Sequence, residues 1–361
     1  MYQHLLVACS VLAVLILGFF VKVADAGELL PAIPSSRAEH SLLLDVARAG
    51  TRLVAVGERG HIVFSDDQGR TWRQAKVPTR ALLTAVSFPT ATDGWAVGHD
   101  GTILHSSDGG VSWSLQRTQV FDPDAAAQAE ADALAAAEVA GIDIASDEGT
   151  EAGAAAAARV GAALLDVWFA DALHGYVVGS NGTFMETTNG GVVWDDRSAR
   201  LDNPDGWHIN AIAVQPANPQ VLILAGEKGT LYRSTDDGQH FVRVRLAHEG
   251  SYFGALATAR EIYLFGLQGR IFHSPDGGGS WSPLESGVTS GLNDAVALAN
   301  GTVAIAGNAG VVVTIAPDAA RPVTVRRADR KVVASLIDID DGLLLVGEAG
   351  AKRARRSGEQ P

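Results

Sequence analysis

A G-x-x-G step preceded by apolar residues recurs seven times along the chain, and no other feature restricts its fold as strongly. The steps lie at Gly57/Gly60, Gly98/Gly101, Gly179/Gly182, Gly226/Gly229, Gly266/Gly269, Gly307/Gly310 and Gly347/Gly350. Successive first glycines are 41, 81, 47, 40, 41 and 40 residues apart, so one interval holds a normal period plus an excess. With that excess and a leader set aside, a repeat measures about 42 residues, the length of one four-stranded propeller blade. In the second repeat Leu82 to Phe88 is apolar, Asp93-Gly94 turns into Trp95-Ala96-Val97, Gly98–Gly101 turns into Thr102–His105, and another turn leads to Trp113–Leu115. Those are four short strands separated by turn signals. A single blade cannot bury both faces of its sheet, whereas seven around an axis can, and closure removes the exposed ends. The fold class expected is all-β, a seven-bladed β-propeller, and not the two domains that length alone suggests.

A second cluster recurs in register with the first. Ser65-x-Asp67-x-Gly69-x-Thr71-Trp72 has counterparts at Ser106/Asp108/Gly110/Trp113, Thr187/Asn189/Gly191/Trp194, Ser234/Asp236/Gly238/Phe241 and Ser274/Asp276/Gly278/Trp281. The Asp or Asn side chain is expected to accept hydrogen bonds from amides just ahead, and glycine to supply the positive φ that closes the turn. The aromatic then starts the outer strand and packs between neighbouring sheets. These residues are read as structural rim turns, not as catalytic groups.

The combined pattern G-W-A-V-G-x-x-G-x-I-x-x-S-x-D-G-G-x-x-W, carried by Gly94 to Trp113, resembles the photosystem II stability/assembly factor family of seven-bladed propellers. Its Asp boxes are shared with the wider sialidase-repeat group. The resemblance covers roughly residues 28–350 and is strongest in the first five repeats. It implies a non-catalytic, monomeric assembly or stability factor that binds an integral membrane protein or complex during biogenesis, with photosystem II as the reference partner. Members dock through a basic face, which no motif places on this sequence, so no partner-binding residue is carried over. An accessory role to an envelope transporter is an alternative. The sixth repeat loses its box, since Thr314 to Asp318 contains neither glycine nor tryptophan, and the seventh ends without a fourth strand. Leu29 to Ile33 are expected to supply that strand and lock the ring.

Charge and composition narrow the partners. The chain carries a net charge of −13, and the alanine-rich insertion at 121–160 contributes nine acidic residues against Arg159 alone. That balance argues against a sequence-independent nucleic-acid binder, which needs cationic surface. Asp122 as N-cap, Pro123 at N1 and Gly141 as terminator predict a helix over about 123–140, with Leu134 and Val139 as its anchors. Such an arm serves either a partner or nothing beyond solvation. Basic residues cluster at Arg326-Arg327, Arg330-Lys331 and Lys352 to Arg356; these read as a charged edge, or as contacts to an anionic partner. Leu5 to Val21 is an uncharged run followed by Ala24-Asp25-Ala26, so residues 1–26 read as a Sec signal peptide or an N-terminal anchor. Either places the body outside the cytoplasm. The sole cysteine, Cys9, lies in that leader, which leaves no disulfide framework for the rest.

The enzymatic alternative is an Asp-box glycoside hydrolase of sialidase type, which needs a tyrosine nucleophile, a carboxylate base and an arginine cluster. Tyr176, Tyr232 and Tyr263 occupy apolar repeat positions, and only Tyr252 stands free, with Glu249 and Glu261 as the nearest carboxylates in sequence. No Arg-x-Pro signature opens the first blade, and no zinc, phosphate-loop or serine-hydrolase motif is present. His105 and His273 share one repeat position, which points to packing or to surface repetition. Asp100, Asp171 and Asp294 lie near turns where calcium could bind, but nothing groups them. No cofactor, metal or small-molecule substrate is called for.

Overall fold

Short apolar runs alternating with glycine- and aspartate-rich turns fold each repeat into an antiparallel meander. The computed structural model describes residues 30–119, 123–144, 147–317 and 321–359. The expectations placed on the leader, Leu29, Asp122 and Asp318 therefore fall outside the described residues. Blade 1 spans 43–74, blade 2 83–117, blade 3 164–196, blade 4 209–243, blade 5 252–284, blade 6 292–326 and blade 7 333–354. Six sheets have four strands in sequential order and the seventh has three.

Packing between blades makes the core. The second strand of blade 1, Arg52–Gly57, sends Val54 and Val56 toward blade 2 and Leu53 and Ala55 toward blade 7, all at 0% exposure. Two-sided burial of a strand explains why these segments read as continuous apolar runs rather than alternating ones. Seven apolar clusters result, one at each blade boundary.

The first glycine of each G-x-x-G step is required by a close approach, not by an unusual φ. A Cβ on Gly98 would sit 2.1 Å from the Leu82 carbonyl oxygen, and on the other six glycines 2.0–2.3 Å from the equivalent carbonyl. Each of these carbonyls precedes an inner strand and accepts the N–H that follows the glycine, as Leu82 accepts from His99 at 2.9 Å. Beside it the ladder slips by one residue, between Leu83 and Ala85 in blade 2. The second glycine supplies the positive φ, 57° at Gly101 and 68° at Gly60.

Two expectations are corrected. Leu30 to Ile33 form no strand on blade 7. They run beside the outer edge of blade 1, where Ala32 N–H donates to the Val77 carbonyl at 3.0 Å and Gln74 Nε2 to the Ile33 carbonyl at 3.0 Å. Pro31 and Pro34 lack the N–H groups that a ladder strand needs, and Ala32 joins the apolar cluster of blades 1 and 2 instead. Blade 7 meets blade 1 through Leu43, Val46, Ile339, Leu344 and Val346, and through Ala351 N–H donating to the Glu39 carbonyl. The insertion holds two helices where one was expected, α1 (Pro123–Val139) and α2 (Asp147–Ala158). Alanine propensity carries the second despite its glycines, and Gly153 lets α1 approach: a Cβ there would lie 3.2 Å from Leu134 Cγ. Gly141 ends α1 at φ 81°, while Val139 anchors nothing, being 91% exposed.

Blade 6 keeps its fourth strand without a box. Val323–Arg326 pairs with Val311–Thr314, because a β-branched run holds the ladder unaided. Gly98→Ala is expected to destabilise the ring by about 1–3 kcal/mol through overpacking, read as a lowered urea midpoint with the denaturant slope unchanged.

Candidate functional site

The four-strand meander sets two ends. G-x-x-G turns and blade-to-blade connections lie at one end, and the box turns lie at the other. In the second box Ser106 Oγ accepts from Gly110 N–H at 2.9 Å and donates to Asp108 Oδ1 at 2.8 Å. Asp108 Oδ1 also accepts from Val111 and Ser112 N–H, and its Oδ2 accepts from Ser112 Oγ at 2.6 Å. Ser65/Asp67/Gly69, Ser234/Asp236/Gly238 and Ser274/Asp276/Gly278 repeat this arrangement. Donors pull the carboxylates down, Asp67 to about 2 chiefly through the Thr71 hydroxyl and Asp276 to about 2 through the Ser280 N–H.

The third box keeps the turn, with Thr187 Oγ1 donating to Asn189 Oδ1 at 3.0 Å, but loses the contact to the second carboxylate oxygen. Thr187 Oγ1 accepts from Gly191 N–H at 2.8 Å, and Asn189 Oδ1 from Val193 N–H at 2.9 Å. Val193 stands where the other boxes place a hydroxyl or imidazole against the second carboxylate oxygen, so an amide and an apolar side chain are matched there. Trp113 and Trp281 turn their indole N–H groups onto Gly110 and Gly278 of their own boxes. Trp72 packs against the blade 7–blade 1 cluster, Phe241 against that of blades 3 and 4, and Trp194 against that of blades 2 and 3.

Box carbonyls also receive donors from the preceding blade. Arg52 Nη1 reaches Gly109 at 3.0 Å, Gln116 Nε2 Gly190 at 2.8 Å, Arg200 Nη1 Gly238 at 2.8 Å and Arg233 Nε Gly277 at 2.6 Å. The boxes thus join neighbouring blades at the rim, and their hydroxyls and carboxylates are engaged in the turns themselves.

Tyr176, Tyr232, Tyr252 and Tyr263 are all buried in the ring. Tyr252 is fully buried, with its phenol pushed up to about 12 by desolvation, which corrects the reading of it as free. Tyr263 donates to Glu261 at 2.6 Å and Tyr176 to the Asp237 carbonyl at 2.9 Å, both with their pKa values raised first by burial. His105 packs at a tilt against Trp95 and His273 against Tyr263, and each also faces a carboxylate, Asp93 at 3.6 Å and Glu261 at 3.2 Å. The basic tail is largely paired: Arg353 with Asp341, Arg356 with Asp338 and Arg355 with Glu359.

Reasoning from sequence missed the central channel. Asp45, Asp166 and Asp294 occupy equivalent inner-strand positions around a polar cavity of about 180 Å³ at the G-x-x-G end. Each ties two blades together. Asp45 accepts from Val46 and, across the boundary, Val86; Asp166 accepts from Val167 and Ile212; Asp294 accepts from Leu336. Ser335 Oγ lies 2.9 Å from Asp45 and 2.6 Å from Asp294, and its single proton serves one of them at a time. Burial, then repulsion from Asp45, lifts Asp166 to about 8 and raises Asp294, while burial raises Asp45 itself. Asp100 and Asp171 do not join this cluster. Asp100 forms the blade 2 G-x-x-G turn at φ 56°, and Asp171 caps Leu173 and His174. A visible signal existed: Leu43-Leu44-Asp45-Val46 recurs as Leu164-Leu165-Asp166-Val167, a carboxylate inside an apolar run.

The family model for the photosynthesis system II assembly factor YCF48 matches residues 64–156 and 146–250. A photosystem II assembly lipoprotein Ycf48 of Synechococcus sp. (strain CC9902) is 34% identical over 142 residues, 38% of this chain and 41% of that relative. The chain therefore matches about two fifths of that relative's length. A solved YCF48 bound to a D1 peptide superposes with a TM-score of 0.61 at 16% identity, covering 91% of this chain and 96% of that one. A catalytically inactive virginiamycin B lyase from Staphylococcus aureus gives a TM-score of 0.65 at 9% identity, covering 87% and 94%. At such identities the two structures share the fold alone, and the second is a variant of a propeller enzyme.

Two outcomes are expected. Ser106→Ala leaves the Gly110 N–H without its buried acceptor and costs about 1–3 kcal/mol of unfolding free energy, measured by urea titration. The channel carboxyls titrate higher in the folded ring than in the unfolded chain, near 3.9. The folded state therefore holds extra protons, and stability declines as pH rises from about 4 to about 8. Urea midpoints across that range should show the decline, and Asp166→Asn should make it shallower.

Proposed function

The chain belongs to the YCF48 family of photosystem II assembly factors, and on that premise we propose that it is a non-catalytic extracytoplasmic propeller binding an integral membrane protein or complex during its assembly. The family match carries this reading, because it spans residues 64–250, more than half of the chain. Photosystem II is the partner that the relatives' names point to, and a D1 peptide is bound by one relative of the same fold. Relatives named as lipoproteins support a place at a membrane surface outside the cytoplasm. No helix among the described residues is long and apolar enough to cross a membrane.

A binding role also suits the chemistry. The hydroxyls and carboxylates of the boxes are spent on turns, and the buried tyrosines are held protonated at neutral pH. Rim turns and inter-blade loops are left to present a surface to a monomer's partner. A tagged full chain recovered from gently solubilised membranes is expected to bring down integral membrane proteins, photosystem II core subunits in a phototroph. Recovery of the free chain alone would overturn the proposal.

A further inference from the structure

The two-helix insertion encloses a cleft against blades 2 and 3, and that cleft is rich in donors. Its volume is about 180 Å³. The insertion is held at both ends: Gln119 N–H donates to the Asp100 carbonyl at 2.7 Å, Gly101 N–H to Ala162 at 3.1 Å, and Asn181 Nδ2 to the Ala158 carbonyl at 2.6 Å. Arg117, from the outer strand of blade 2, and Arg159, just past α2, both line the cleft.

Their charges are only partly answered. Arg117 spends its guanidinium on neutral acceptors, the Gly101 carbonyl at 3.1 Å and Gln119 Oε1 at 2.5 Å. Burial draws its pKa down, and Asp196 is the charge that opposes this. Arg159 Nε lies 3.3 Å from Asp196 Oδ2, yet is buried without a well-formed hydrogen bond among the described residues. Trp194 also lines the cleft, and its indole N–H is buried and unpartnered among the described residues, unlike those of Trp113 and Trp281. Among the described residues that line the cleft, two guanidiniums face one carboxylate, which leaves one positive charge. A half-buried, under-paired cation and an orphaned, buried N–H cost free energy unless an acceptor arrives.

We propose that this cleft binds one carboxylate of a polypeptide partner, either an Asp or Glu side chain or a chain end. A monoanion balances the surplus charge, whereas a phosphate dianion would reverse it. The planar fork of arginine matches a carboxylate, and the indole N–H supplies a further donor. The acidic side chains of α1, such as Glu130, Asp132 and Glu138, lie exposed, where solvent screens them. The insertion is then the wall that makes the site. The inference rests on reading the chain as a binding propeller, and it names the group on the partner that is recognised.

Calorimetric titration of the full chain tests it with four probes: acetyl-Ala-Ala-Glu-Ala-amide, its Gln analogue, acetyl-tetra-alanine with a free chain end, and inorganic phosphate. The Glu peptide or the free chain end is expected to bind, and which of them binds separates the two carboxylate sources. Arg159→Gln should weaken binding about tenfold, as loss of a charge-assisted contact does. Trp194→Phe, which deletes only the N–H, should weaken it less. Circular dichroism checks that each variant is folded, and Arg159, at the cleft wall, reports even if Arg117→Gln fails to fold. Equal binding of the Gln peptide, tighter binding of phosphate, silence from both carboxylate peptides, or indifference to Arg159→Gln would each overturn the proposal. Because no membrane complex takes part, this failure is distinct from a failed recovery from membranes.

Discussion

Burial of each sheet on both faces is the constraint on which everything else in this molecule depends. A four-stranded blade has two apolar faces and too little chain to cover either, so each must be covered by another blade. The geometry that lets seven sheets radiate from an axis is set at the inner strands. There a carbonyl must come within contact distance of the following hairpin, and only glycine leaves the room. The repeat of glycine is thus a repeat of backbone proximity. The box turns solve a different problem, the rim, where polar side chains of one blade reach the loop carbonyls of the next.

The channel carboxylates act as a third set of inter-blade ties, and their cost is electrostatic. Three carboxyl groups in one narrow space cannot all ionise cheaply. Two blades use alanine at the same position and one uses glycine, so the carboxyls are not needed for closure everywhere. Where present, they exchange easier hydration for hydrogen bonds that cross a boundary.

Local periodicity made much of this legible. Blade number, box turns and the span of α1 follow from residues within one repeat of each other, where turn chemistry and helix capping act. What could not be read arises only when the ring is formed. Asp45 and Asp166 become neighbouring buried carboxyls because blades separated by about 120 residues meet at the axis. Arg117 and Arg159 come together because the insertion folds back on its own anchor points. The N-terminal segment differs for another reason: ring symmetry leaves a vacancy in blade 7 for a donor strand, but the two prolines in Leu30–Pro34 remove the N–H groups a ladder needs.

Six of the seven boundaries are crossed by the chain itself, and the one between blades 7 and 1 is not. With no strand exchanged between the two ends among the described residues, this seam is closed there by side-chain packing and a few polar contacts. Bringing its sides together closes a loop of roughly 300 residues, an entropic cost of about 5 kcal/mol on a (3/2)RT ln n basis. The apolar cluster of Leu43, Val46, Leu344 and Val346 must repay that cost. Until it does, blades 1 and 7 each keep a face in water, so the seam converts a row of semi-independent sheets into one cooperative body. Such an object opens first at its clasp, and a change far from any binding surface can loosen the whole circle if it falls there.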